Sequence, residues 1–484
     1  MEKIKKFFFQ NAGTKQTATK NTFWLILGEV LVRIFKMLLI VYVARKLGVE
    51  GWGIFSYAIS IGSILMIFSD IGISGLITRE MVQKKEEYST FISTALFLKI
   101  IILLISTVLI VFLSPLISNI KEANILFPII AIVLFFDSMR DLGFAINRAS
   151  EKMEMETMVK TVMSIIILVL GIILLKIKLA PESMAIAYAV GSAIGFFAIA
   201  IVIRKDIKKF ISRINPKIFK LIIKTTLPFT VITLMGSIMG NTDIFMLGIW
   251  RDSTEIGLYT SVQRIQQFII IIPSMIATSV FPIMSRLANN NDKEKFKEIL
   301  EKTISIIMII GIPIATGGII LSKQLILLVF GSEYLAATPI LCIFMLVLLV
   351  SFPLILLSNA VFAYNKQKGI AMAFLFGVIT NVLLNLLLIP KFGAMGAIIA
   401  TFISTTVIVF TIWKKMQKIN NFEILSKLKK TIFSTIVMSL SILMLKYFDV
   451  NIILNIVISS LVYFSFLIIL KETILKEARK IINI

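Results

Sequence analysis

Apolar runs of about twenty residues recur from one end of this chain to the other, and that repetition leaves few folds open. At about 1.5 Å per residue, a helix of that length crosses the roughly 30 Å of hydrocarbon in a bilayer. With 58% hydrophobic and 16% charged residues over 484 positions, the chain lies outside the range of soluble domains. Backbone facing lipid has no water to bond, so the runs must be helices. The pattern predicts an all-α polytopic membrane protein with about 14 spans, over 22–44, 52–76, 89–113, 124–147, 157–177, 183–203, 221–249, 257–281, 303–322, 335–361, 369–389, 392–413, 428–446 and 451–470. The first run follows a polar stretch without a small-residue cleavage site, so it is expected to be a retained helix.

Ten charged residues sit inside these runs: Glu29, Arg33, Lys36, Asp70, Lys99, Asp137, Arg140, Asp141, Asp243 and Arg264. A charge at mid-bilayer costs roughly 2.5–3.5 kcal/mol, so ten facing lipid would cost on the order of 25–35 kcal/mol. That exceeds the folding stability of a typical domain. Most must face one another or a wet interior, which points to a transporter. Histidine is absent and Cys342 is the only cysteine. This removes imidazole relays and metal sites, thiolate metal clusters, nucleophile–His pairs and intramolecular disulfides, and there is no P-loop for ATP. No catalytic residue, metal or cofactor is expected, and the chain does not look like an enzyme.

The net charge of +23 belongs to the loops. On the expected topology, loops on the N-terminal side carry 36 lysines and arginines and those opposite carry 9. The bias predicts a multi-pass protein of the cell membrane with both termini cytoplasmic, and it explains the charge without nucleic acid. The basic connection from Arg204 to Lys224 divides the first twelve spans into two bundles of six. The expected organisation is an N-terminal lobe over 1–210, a second lobe over 211–420, and two appended helices with a tail over 421–484, the lobes enclosing a central cavity.

The lobes share a faint repeat. Gly53-Ile54-Phe55 opens span 2 and Gly257-Leu258-Tyr259 opens span 8, each after a short loop. AINRASEK (145–152) parallels VFAYNKQK (361–368) after the fourth span of each half. Six spans per half give parallel repeats, which place substrate at their interface and alternate access by rocking.

Glu29, Arg33 and Lys36 share one helical face, which Thr22 extends, and their sum is positive. A self-paired Glu29–Arg33 packed for structure competes with a cavity wall. Asp137, Arg140 and Asp141 also share a face, and a structural clasp is nearly as good a reading as a functional network. Arg264 lies among Gln263, Gln266 and Gln267, which suits a substrate-facing guanidinium able to fork onto phosphate. Asp243 is a candidate partner for Arg264 or a cation site. Asp70 and Lys99 are read as interfacial, and Asn381 and Asn385 as glue between helices.

Strings along nearly the whole chain resemble the polysaccharide-export flippases of the multidrug/oligosaccharidyl-lipid/polysaccharide exporter superfamily. They are ARKLG with GWGIFSYA (44–58), DIFMLGIW with IGLYTSVQRI (243–265), FPIMSRL before a charged helix (281–300), FGSEYLAATPIL (330–341), VFAYNKQK (361–368) and IPKFGAMGAIIAT (389–401). The resemblance implies alternating-access translocation of a polyprenyl-pyrophosphate-linked glycan to the outer leaflet, for cell-surface polysaccharide biosynthesis. It implies membrane lipids as surroundings, and a polysaccharide polymerase or glycosyltransferases as possible partners. Lipid II flippases of the superfamily carry functional arginines on the first and eighth helices. Arg33 and Arg264 stand in similar places, with Val262-Gln263-Arg264 departing from the A-x-R context and Lys36 replacing a second arginine. The expected substrate-binding residues are Arg33, Lys36, Arg264 and Gln267. A cavity network or ion-coupling role falls to Glu29, Asp137, Arg140, Asp141 and Asp243. The alternative is a cation-coupled multidrug exporter of the sister branch, using the acidic residues.

Overall fold

The computed structural model describes residues 14–66, 73, 88–149, 152–210 and 215–470. Among the described residues the regular structure is entirely helical, as hydrocarbon demands. We number the helices α1 (Thr14–Met66), α2 (Tyr88–Ile117), α3 (Phe127–Ala149), α4 (Met153–Ile177), α5 (Pro181–Phe210), α6 (Pro216–Trp250), α7 (Ser253–Ile269), α8 (Ile271–Asn289), α9 (Lys293–Ile320), α10 (Ser322–Val329), α11 (Thr338–Ala363), α12 (Gln367–Ile419), α13 (Lys429–Tyr447) and α14 (Ile452–Ile469).

Each expected span coincides with helix to within a few residues, except that 67–72 and 74–76 lie outside the described residues. Spans 1 and 2 run on through α1, and spans 11 and 12 through α12. Each pair is broken by one glycine with positive φ, Gly48 (φ 71°) and Gly393 (φ 55°). A side chain disfavours that conformation, so glycine turns the chain without a loop. Among the described residues, nine helical segments are long and apolar enough to cross a membrane. α1, α3 and α6, which hold most of the embedded charges, are not among them.

The chain divides into two compact units, Met1–Gly257 and Leu258–Ile484. In the first, α1 packs on α4 and α6, and α3 and α4 pack on α5. Buried Ile92, Leu98, Leu142, Phe144, Ile199 and Ile203 form much of its core. Large apolar side chains also cover the outside, where lipid replaces water as solvent. On α2, for example, Leu104, Ile105, Val108 and Phe112 are exposed.

In the second unit, α11 packs on α12, α9 and α8, and α13 joins α14 to α9. The last two helices are held by polar contacts as well as by packing. Asn455 Nδ2 donates to the Ile442 carbonyl, and Ser441 and Ser459 share a hydrogen bond. The Tyr463 hydroxyl crosses to α9 and donates to the Ile309 carbonyl at 2.7 Å. Pro313, four residues on, has no N–H to give that carbonyl. Tyr463 thus fills the gap that the proline opens, and Ile309, Met438, Ile442 and Leu467 pack around it.

Removing that hydroxyl should leave a buried carbonyl unsatisfied. Tyr463→Phe is expected to destabilise the protein by about 1–3 kcal/mol, seen as a lower thermal midpoint in detergent, with insertion unchanged.

Candidate functional site

On α1, Gly28, Val32, Leu39 and Val43 form the packed face. Gly28 sits against Thr157, whose hydroxyl bonds the Trp24 carbonyl at 2.6 Å, and Gly171 of α4 packs on Leu39. Glu29, Arg33 and Lys36 lie about a quarter-turn around the helix from this seam. Arg33 Nε donates to Glu29 Oε1 at 2.9 Å, with the two side chains 32% and 48% exposed. The expected pair exists, but it is open, and Lys36 beside it is exposed too. An ion pair this open contributes little to stability, so packing alone gives no reason for its place in an apolar helix.

In the second unit, Arg264 lies on α7 and is partly exposed, one turn on from buried Thr260 and Ser261. Its Nη1 donates to Gln267 Oε1 at 2.9 Å. The residues i and i+3 meet on one face, so Gln267 orients the guanidinium with a neutral acceptor. Gln263 and Gln266 flank it, half-buried.

The α3 cluster is of another kind. The Arg140 side chain is only 9% exposed and pairs with both Asp137 and Asp141, the latter at 3.1 Å. It also contacts Met163 Sδ of α4 and lies 5.6 Å from the Phe144 ring centre. Gly195 of α5 leaves room for its methylene stem. Arg140 therefore holds three helices together, while Asp137 and Asp141 keep partly open edges. Lys99 on α2 is fully buried and acts electrostatically on Asp141. This corrects the interfacial reading, because the surrounding helices enclose the side chain and keep it from reaching water. Asp243 is buried in α6. The neighbouring Asn241 and Thr242 bond back to carbonyls of their own helix. Asp70 lies outside the described residues. Asn385 Nδ2 donates to Asn381 Oδ1 within α12, and both side chains are buried.

A second ionic layer escaped the sequence reading because its basic members were counted as loop charges. Lys20 and Glu154 pair at 3.1 Å with both side chains buried. Arg148 forks onto Glu156 through Nε and Nη2, and Lys160 reaches the same carboxylate at 2.7 Å. The available signal was the pair of acids opening α4 within a basic region.

At the opposite end of this unit the two repeat-related glycines meet. A Cβ on Gly53 would fall 1.8 Å from the Ser253 carbonyl oxygen, and one on Gly257 would fall 2.0 Å from that of Val49. Neither position tolerates a side chain, so the starts of the two corresponding helices approach backbone to backbone.

A bundle of membrane-length helices with charges embedded on selected faces is a polytopic membrane transporter. Its line of descent is shown by its family match. The chain belongs to the polysaccharide biosynthesis protein family, whose model matches residues 18–288, over half its length. The MatE model matches 228–387. The capsular polysaccharide biosynthesis protein CapF of Staphylococcus aureus is similar at 24% identity, covering 80% of this chain and 96% of that protein. The probable low-salt glycan biosynthesis flippase Agl15 of Haloferax volcanii is 26% identical over a match spanning 34% of this chain and 35% of Agl15. The fold is similar to that of the lipid II flippase MurJ in an inward closed conformation, with a TM-score of 0.77 at 20% identity, covering 92% of this chain and 98% of MurJ.

Removing one partner of a buried pair strands the other charge. Glu154→Ala is expected to cost about 3–5 kcal/mol through loss of its buried pair with Lys20. Combining it with Lys20→Met should recover much of that loss, and thermal unfolding of the two variants measures the difference.

Proposed function

We propose that this protein is a flippase that carries a polyprenyl-pyrophosphate-linked oligosaccharide from the cytoplasmic to the outer leaflet by alternating access, serving cell-surface polysaccharide synthesis. The observation that carries this reading is the pair of accessible guanidinium faces. Arg33 is a third exposed beside Lys36, and Arg264 is oriented by Gln267. A guanidinium matches a phosphate with two parallel hydrogen bonds. The family match and the names of CapF and Agl15 support the glycan as cargo.

In this reading Arg33, Lys36, Arg264 and Gln267 bind the anionic head while the polyprenyl tail stays in lipid. Glu29 limits how tightly Arg33 holds its ligand, which aids release. The lobes 1–210 and 211–420 are the moving halves and 421–484 is an appendage. The 36:9 charge bias puts both termini in the cytoplasm. A polymerase or glycosyltransferase acting on the delivered glycan would draw the cycle forward. An inside-negative potential adds about 2.3 kcal/mol per charge per 100 mV, and its sign drives an anionic head outward.

The MatE match favours a second reading, a cation-coupled multidrug exporter. Against it, Arg140 already engages Asp137 and Asp141, two of the four acids (with Asp70 and Asp243) that such an exporter could use.

Arg33→Ala and Arg264→Ala should each slow flipping of a labelled pyrophosphate-linked lipid in proteoliposomes at least tenfold, with unchanged protein incorporation. Wild-type rates in both variants refute the site. Efflux of a cationic dye by the wild-type protein, without lipid flipping, supports the exporter instead.

A further inference from the structure

Trp250 ends α6 with its indole 39% exposed, on the wall of a cavity of about 500 Å³. The other walls come from Glu50, from Asn119, Ile120 and Glu122, and from Arg251, Asp252, Ser253 and Glu255. These segments follow spans 1, 3 and 7, so the charge bias places the cavity at the outer end of the first unit.

The walls are held in place. Asn119 Nδ2 donates to the Ile249 carbonyl at 2.8 Å and fixes the end of α6 beneath Trp250. Asp252 Oδ1 accepts from the Glu255 N–H at 2.9 Å and fixes the start of α7. The contact of Gly53 with Ser253 ties the same turn to α1. Arg251 pairs with Glu255 at 3.7 Å. Glu50 and Glu122 have no ion-pair partner among the described residues, and both are exposed.

We infer that this cavity binds a neutral sugar unit of the glycan on the outer side, an inference that rests on the flippase reading. A pyranose has an apolar C–H face and an edge of hydroxyls. The indole offers an apolar surface that costs little conformational entropy to order. Carboxylates accept hydroxyl hydrogen bonds with the added strength of charge. The volume is within the range of small-ligand sites. Four carboxylates against one guanidinium repel a pyrophosphate, so this is not a second place for the anionic head. Among the described residues no group of acids is arranged to hold a metal, which separates the cavity from a divalent-cation site. Capturing the sugar here while repelling the head would favour outward release over return.

The test uses the full chain in nanodiscs with maltotriose, cellotriose and chitotriose as probes, read by calorimetry. Saturable binding of at least one sugar is expected. Trp250→Ala should weaken it at least tenfold, Glu50→Gln with Glu122→Gln at least threefold, and Trp250→Tyr should keep most of it, which controls for folding. Inorganic pyrophosphate should not compete. The proposal is overturned if no probe binds, if Trp250→Ala binds as the wild type does, or if calcium alone binds and Glu122→Gln abolishes it. Sugar binding needs no translocation. Flipping without sugar binding therefore sinks this inference alone, and sugar binding without flipping sinks the flippase reading alone.

Discussion

In hydrocarbon a polar group has no solvent to fall back on, so each must find its partner within the protein. This requirement runs through every level of the chain. It makes the backbone helical from α1 to α14. It makes Arg140 reach two aspartates at once and buries Lys99 near Asp141. It brings Lys20 to Glu154 where α1 and α4 meet. Charges that satisfy it completely act as structure. The Glu29–Arg33–Lys36 face and Arg264 are more open than Arg140 or Lys20, and in the proposed function they are the groups that meet the ionic cargo.

The distinction also separates two kinds of cation that look alike in sequence. Arg140 and Arg33 both occupy apolar helices beside an acid. Arg140 is 9% exposed between three helices, whereas Arg33 is 32% exposed and beside the seam, not in it. Removing the first would strand two carboxylates. Removing the second would alter what the surface attracts.

The span pattern was legible because lipid imposes one length and one secondary structure, and the expected stretches fall in helix wherever the residues are described. The positive face of α1 was legible because 3.6-residue periodicity alone defines it. The mixed cluster of α3 was legible only as two open alternatives, and it took the depth of Arg140 to weigh them. What escaped depends on contacts between segments far apart in the chain. Lys20 looked like one more loop lysine until Glu154 was found beside it. Lys99 looked long enough to reach water until the surrounding helices enclosed it. Gly53 and Gly257 were recognisable as counterparts, yet nothing in the letters said that each would press on the other's helix.

The hydroxyl that Tyr463 lends to α9 bears on how such a molecule could have grown. An ancestor ending after its twelfth helix would have had a bare oxygen beside Pro313 in an oily setting, or no proline there. With a donor supplied by the last two helices, a proline inside α9 is kept at little cost. Neither feature can now be lost alone, because Tyr463 supplies to the Ile309 carbonyl the hydrogen bond that Pro313 cannot.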